Sequence, residues 1–341
     1  MHLPEPFHFL LPDFSSHCSY PLRLNKHCVA AAAASEDWLI RLAQLRSPRN
    51  GRKLKKFMGL KAGYLTALCY PDCPRTELRV VSDYMNFLFT LDDWSDEFAE
   101  AGVRGLEQCV MGMLYDPTVK TDKAAGRLAR SFWLRMIRTA GPRVQHRFIV
   151  AFEDFFRAVE QQSRDRAKGV MPDLESYIAL RRDTSGCRPV FVLAEYAAGI
   201  ELPDEVFEHP IIQSMTEATN DLVTWSNDVF SYNKEQALGD THNMITLLMA
   251  QHGLSLQGAV DFVGQLCAAS ITRFESGRTT LPSWGPDVDC DVQKYVMGLQ
   301  DWIAGSLHWS FETERYFGKR GKEVRQAGVV KLSPMKAPKK V

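Results

Sequence analysis

The stretch Tyr84-Met85-Asn86-Phe87-Leu88-Phe89-Thr90-Leu91-Asp92-Asp93-Trp94-Ser95-Asp96-Glu97 joins two unlike halves. Its first turns are apolar on more than one face, the mark of a helix enclosed by other helices in a soluble protein. Its last turn is acidic. Asp92 and Asp96 stand four apart, so both carboxylates project from one helix face, at a cost of roughly a few tenths of a kcal/mol in repulsion. Asp93 and Glu97 repeat the pair about 100° round the axis. Acid at a helix C-terminus also opposes the macrodipole. A hard divalent cation would turn both penalties into attraction, and Mg²⁺ favours one or two carboxylates completed by phosphate and water oxygens.

Working outward, helical periodicity recurs almost everywhere after residue 30. It runs over roughly 36–46, 53–69, 75–98, 105–114, 122–139, 143–168, 173–185, 188–198, 211–237, 242–252, 256–276 and 289–316, and alternating β-type segments are scarce. Turn chemistry separates these stretches at 69–74, 141–142, 169–172, 201–204 and 281–286. No low-complexity linker or fixed-period repeat appears. The pattern predicts one all-α domain over 1–318, with a central helix surrounded by others. From Lys319 to Lys340 eight Lys or Arg face only Glu323, which predicts a basic, disordered tail over 319–341.

Composition narrows the function. Formal net charge is zero over 341 residues, so no global field draws the chain to nucleic acid. Aromatics make up 11%, enough to line an apolar cavity, although a plain core uses them too. The opening MHLPEPFHFLLPDF has no basic start or continuous apolar stretch, and no run of 18 apolar residues follows. A cytoplasmic protein without stable membrane insertion is expected, as a monomer or homodimer. The eight cysteines form no CxxC pair, and most fall in apolar helical stretches where thiols pack as small hydrophobes. His17-Cys18 and His27-Cys28 match no zinc spacing.

A second cluster reads Asn227-Asp228-Val229-Phe230-Ser231-Tyr232-Asn233-Lys234-Glu235. Asn227, Ser231 and Glu235 fall at i, i+4 and i+8, one stripe of amide, hydroxyl and carboxylate oxygens suited to Mg²⁺. Asp228 points elsewhere and reads as structural. Lys234 is placed to reach a phosphate as a point charge. Chance alone can produce such a polar stripe, but a DDxxD lies 135 residues upstream on another apolar helix. Together the clusters read as metal ligands: Asp92, Asp96, Asn227, Ser231 and Glu235. Two further elements supply cations. Arg181 and Arg182 stand before Asp183-Thr184-Ser185-Gly186, and Arg315-Tyr316 closes the last long helix. Guanidinium forks match phosphate oxygens, though either arginine alone would read as a surface ion pair.

In order and spacing over residues 20–318, the four elements resemble the class I terpene synthase family, and within it the fungal sesquiterpene cyclases. The resemblance implies a helical barrel around a central apolar cavity, three Mg²⁺ ions, and ionisation of an allylic prenyl diphosphate, farnesyl diphosphate in particular. Asp92 would be the main ligand of its motif and Asp96 a water-mediated one. The family's diphosphate-sensing arginine stands 46 residues before the Asn of the second motif, which implies Arg181, with Arg182 as the alternative. Thr184 and Ser185 fall at its linker and effector positions, where a glycine sometimes replaces this serine. Arg181, Lys234, Arg315 and Tyr316 are the implied diphosphate contacts. Cys69-Tyr70-Pro71-Asp72 and the 88–97 stretch resemble basidiomycete cyclases that close the 1,11 bond, implying a product such as Δ6-protoilludene.

The chemistry sets further expectations. A diphosphate leaves only when its charge is neutralised, and the allylic cation left behind must be kept from water. Ring faces attract such a cation. Helical phase offers Phe89 and Trp309 as cavity walls, then Met85, Phe152, Phe155 and Phe156. A chain-elongating prenyl diphosphate synthase would carry a second DDxxD in place of N-D-x-x-S-x-x-x-E. A class II cyclase would need DxDD, and Asp287-Val-Asp289-Cys-Asp291 lacks the adjacent pair and reads as a helix start. A non-catalytic helical binding protein would be expected to have lost some ligands.

Overall fold

The computed structural model describes residues 8–335 except 15, 17, 48, 49, 98 and 99, and the side chains at 96 and 97 are also outside it. The acidic-ended helix, α4 (Arg75–Glu97), forms as expected. Around it the chain builds α1 (Cys28–Leu42), α2 (Gly51–Leu60), α3 (Ala62–Cys69), α5 (Glu100–Tyr115), α6 (Ala124–Met136) and α7 (Pro142–Lys168). Then come α8 (Leu174–Thr184), α9 (Cys187–Ala198), α10 (Asp204–Phe207), α11 (Pro210–Leu238), α12 (Met244–His252) and α13 (Leu256–Thr279). The last are α14 (Pro286–Glu312), α15 (Glu314–Phe317) and α16 (Gly321–Ala327).

An inner ring of α3, α4, α7, α9, α11 and α14 encloses a cavity, while α1, α5, α6 and α13 pack outside it. The long helices are therefore apolar on two faces for a different reason than one central helix. One face packs on the outer layer and the other lines the cavity. Most enclosed is the twelve-residue α9, in which ten residues from Cys187 to Ala197 are buried.

Local chemistry sets the ends of the site-bearing helices. Pro210 begins α11, where its missing N–H is no loss, and the ring Nδ1 of His209 accepts the Ile211 N–H at 3.3 Å. The acid reading of α14 holds: Asp289 accepts from Ser283 Oγ at 2.6 Å and from the Trp284 N–H at 2.7 Å at the helix start.

The basic segment from Lys319 departs from expectation. Instead of a disordered tail, residues 318–320 form a 3₁₀ turn, α16 follows, and β2 (Val329–Lys331) pairs antiparallel with β1 (His8–Leu10). Counting charge overlooked the apolar residues among the lysines: Val324 is 7% and Val330 2% exposed. Beyond β2, Ser333 is fastened to the outer face of α11. Its N–H donates to Asn233 Oδ1 at 2.7 Å, and its carbonyl accepts from Gln236 Nε2 at 2.8 Å. Residues 336–341 lie outside the described residues. No described helix is long and apolar enough to cross a membrane.

Candidate active site

The wall contributed by α11 is wired from behind. Asn227 Oδ1 accepts from Arg181 Nη2 at 2.8 Å, and its Nδ2 donates to the Tyr316 hydroxyl at 2.7 Å. Glu235 accepts from Asn243 Nδ2 at 2.9 Å, and burial together with Asp228 pushes its carboxyl up to about 7. Between them, the Ser231 Oγ is buried with no hydrogen-bond partner among the described residues. A buried hydroxyl left in that state costs about 1–3 kcal/mol. A hard cation fits this stripe, which offers three oxygen donors one turn apart, one of them unsatisfied.

Asp228 carries the wiring and has no place in the stripe itself. One carboxylate oxygen accepts from Tyr177 Oη at 2.6 Å and from the Met244 N–H at 3.1 Å. The other takes Arg181, through Nε at 3.1 Å and Nη2 at 3.0 Å. Asp228 therefore reads as structural, as its phase on the helix suggests. Arg182 turns away. It pairs with Asp221 at 2.7 Å, whose second oxygen holds Arg273 of α13 at 2.6 Å. Of the two adjacent arginines, Arg181 is the one that faces the stripe.

On the opposite side α4 is held more loosely. Asp92, 41% exposed, accepts from Arg315 Nη2 at 3.0 Å, and Asp93, 37% exposed, pairs with Lys56 of α2 at 2.7 Å. The backbone of Asp96 lies in α4, but its side chain is outside the described residues. Arg315 and Tyr316 reach the site because the last helix is not continuous to 316. α14 stops at Glu312 and Thr313 is extended (φ −72°, ψ 148°), its hydroxyl donating to the Leu60 carbonyl at 2.9 Å and accepting the Arg315 N–H at 3.2 Å. Lys234 lines the same mouth, where burial and the neighbouring Arg315 and Lys56 lower its ammonium pKa.

Thr184 ends α8, and Ser185 and Gly186 form the break before α9. The Ser185 hydroxyl lies 2.8 Å from the Arg182 carbonyl and 3.0 Å from Asn220 Oδ1, and it accepts the Cys187 N–H at 3.1 Å. Gly186 has φ +69°, and a Cβ there would stand 3.1 Å from both Leu88 methyls. Only glycine meets both demands at this turn.

Inside, a cavity of about 210 Å³ runs down from these groups. Phe89 and Trp309 pack against each other on its wall with ring centroids 5.5 Å apart, and the Arg315 guanidinium sits 5.4 Å over Phe89. Trp309 is fixed by donating to the Leu60 carbonyl at 3.0 Å. Met85 and Phe155 also line the cavity. Phe152 and Phe156 do not: both are in the aromatic core, Phe152 against Tyr84 and Phe148. Trp302 was missed by the sequence reading. Its signal was the spacing Trp302, Ser306, Trp309, one face of α14, all three lining the cavity. Tyr177 and Asn243 were missed as well, and no local motif marks either.

A family model described as terpene synthase family 2, C-terminal metal binding, matches residues 83–273. Sesquiterpene synthase 1 of Postia placenta is 53% identical over 97% of this chain and 97% of its own length. The chain belongs to the terpene synthase family. This terpene synthase is an enzyme, and a sesquiterpene cyclase by its curated relatives. The alpha-muurolene synthase of Coprinopsis cinerea is 50% identical over 98% of this chain and 80% of its own. The Δ6-protoilludene synthase of Stereum hirsutum is 34% identical over 95% and 88%. In fold, the synthase resembles the crystal structure of germacradien-4-ol synthase from Streptomyces citricolor, with TM-score 0.75 at 24% identity, covering 86% of this chain and 96% of that one.

Proposed function

We propose that this synthase ionises farnesyl diphosphate with Mg²⁺ and cyclises the resulting cation to a sesquiterpene hydrocarbon, releasing diphosphate. The observation that carries the reading is the meeting of two oxygen-donor walls and three cations at the rim of an aromatic cavity. Asn227, Ser231 and Glu235 would hold one Mg²⁺, and Asp92, with Asp96 through water, would hold the remainder of three. Bound there, the ions supply Lewis acidity toward the diphosphate.

The protein's own groups do the rest. Arg181, Lys234, Arg315 and the Tyr316 hydroxyl present donors to phosphate oxygens, and charge-assisted bonds of this kind are the strong ones. To do so Arg315 must exchange Asp92 for phosphate. Below them Phe89, Trp302 and Trp309 turn ring faces to an allylic cation, which attract positive charge without a lone pair to trap it. Thr184 and Ser185, at the break between α8 and α9, would act on the ionising carbon through a small backbone shift. The apolar lining excludes the water that would quench the cation.

Two skeletons follow from similarity. The 1,11-closure to Δ6-protoilludene rests on the motif-flanking residues, whereas greater overall identity to an alpha-muurolene synthase than to a Δ6-protoilludene synthase favours a muurolene-type product. The test is gas chromatography with mass detection after incubation with farnesyl diphosphate, with and without Mg²⁺. A metal-dependent C15 hydrocarbon, strongly reduced with Asp92→Ala or Glu235→Ala, is expected, and its spectrum names the skeleton. Unchanged geranyl, farnesyl and geranylgeranyl diphosphates would sink the reading.

A further inference from the structure

Just outside the catalytic mouth, α2 reads Gly-Arg-Lys-Leu-Lys-Lys-Phe-Met-Gly-Leu, with four cations and no acid in ten residues. A second cavity of about 440 Å³ opens beside it, lined by the cations Arg52, Lys55, Lys56, Lys234 and Arg315 and, among the described residues, by the carboxylates Asp93 and Glu314. Phe89, Asp93, Lys234 and Arg315 line both this cavity and the catalytic one, so the two join. The C-terminal end of α2 is fixed to the turn that presents Arg315, through Trp309 and Thr313 on the Leu60 carbonyl and through Lys61 Nζ on the Glu312 carbonyl at 2.6 Å. Lys56 is held toward the mouth by Asp93. Arg52, Lys53 and Lys55 are exposed.

We propose that this basic vestibule is a second diphosphate-binding site, which receives the substrate's diphosphate on entry and holds inorganic diphosphate on exit. The proposal rests on the reading of the catalytic site as a diphosphate site. Lys56 is paired with Asp93 and Arg315 with Asp92, while Arg52 and Lys55 stand exposed on α2 at the vestibule, where low-dielectric walls focus their field on an anion arriving from solvent. Lys56 and Arg315 each neutralise a carboxylate of the acidic turn until metal and diphosphate take over both partners. A bilayer would use the same charges differently, through an exposed apolar edge. Here that edge is largely spent: Leu60 is 8% exposed and Phe57 packs on the core, leaving Met58 as the exposed apolar residue of α2.

The test uses the whole enzyme with Arg52→Gln/Lys55→Gln and, separately, Lys55→Glu, all at exposed positions away from the catalytic cavity. kcat/KM for farnesyl diphosphate would be measured from about 20 to about 300 mM salt, a range over which the screening length falls several-fold. At low salt the double variant should show kcat/KM lowered about tenfold with kcat unchanged and a flatter salt dependence. Lys55→Glu should move in the same direction, and calorimetric binding of inorganic diphosphate should weaken in step. Wild-type values for kcat/KM and diphosphate affinity would overturn the proposal. So would loss of binding to phosphatidylserine vesicles with kcat/KM intact, which would make α2 a membrane surface. If the wild type consumed no prenyl diphosphate the catalytic reading would fail, while the calorimetric comparison would still decide whether α2 binds diphosphate.

Discussion

The two ligand walls differ in how they are held. On α11 the stripe is braced, Ser231 buried and its neighbours half-buried, with Arg181, Tyr316 and Asn243 gripping Asn227 and Glu235 while Asp228 grips Arg181. On α4 the acidic turn is half-exposed, its first two carboxylates held, among the described residues, by the side-chain cations Arg315 and Lys56, both of which a phosphate could claim. One wall is built before any ligand arrives, and the other is assembled by exchange. Preorganisation belongs where the geometry must be exact to fractions of an ångström. Exchange belongs where a substrate must enter and diphosphate must leave.

The contrast is sharpest if each wall is broken at its support. Asp228→Ala should have the largest effect, because it strands a buried Arg181 and the Tyr177 hydroxyl. Loss of about 3–5 kcal/mol in denaturant unfolding is expected, together with loss of turnover. An unfolding midpoint equal to wild type would show that the α11 wall is not braced through Asp228. Glu235→Ala and Asp92→Ala should both lower kcat/KM, by about 10³-fold and about 10²-fold. Only the first should also shift thermal unfolding, and equal shifts would erase the distinction between the walls. Without metal, Ser231→Ala should stabilise the fold by about 1–3 kcal/mol, since it removes a buried hydroxyl that no described residue satisfies. Yet the Mg²⁺ concentration for half-maximal rate should rise about tenfold.

The remaining contrast is in pH. Glu235 sits at about 7 in the fold against an ordinary 4.5, so the stabilisation from its bound proton is complete below 4.5 and lost as pH rises through 7. Glu235→Gln does not titrate. Without metal, its melting temperature relative to wild type should therefore climb between pH 5 and 7.5. A flat difference would mean the stripe is less enclosed than its burial indicates.

Much of this was legible before any coordinates. Helical periodicity and turn residues give the all-α fold, and fixed spacings along single helices give both ligand motifs, because a helix converts sequence separation directly into direction. What escaped the reading depends on backbone breaks and on partners far apart in the chain. Lys61 adopts φ +55° and divides what reads as one helix over 53–69 into α2 and α3, which is how α2 comes to stand free at the mouth. Thr313, extended rather than left-handed, divides 289–316. α1 begins at Cys28 because an alanine run is helical without showing any periodicity. Asn243 reaches Glu235 across the turn after α11, and Trp302 faces the cavity only because α14 does.

The clasp of His8–Leu10 on Val329–Lys331, continued by Ser333 onto the back of α11, bears on the protein's birth. A ribosome adding about 5–20 residues per second needs on the order of half a minute to pass from one strand to the other. Through that interval the first strand has no partner, and the outer face of α11 lacks its last brace. The clasp closes only after translation has passed Ser333, so a polypeptide stalled before that point would carry both acidic motifs without the brace that holds one of them in place.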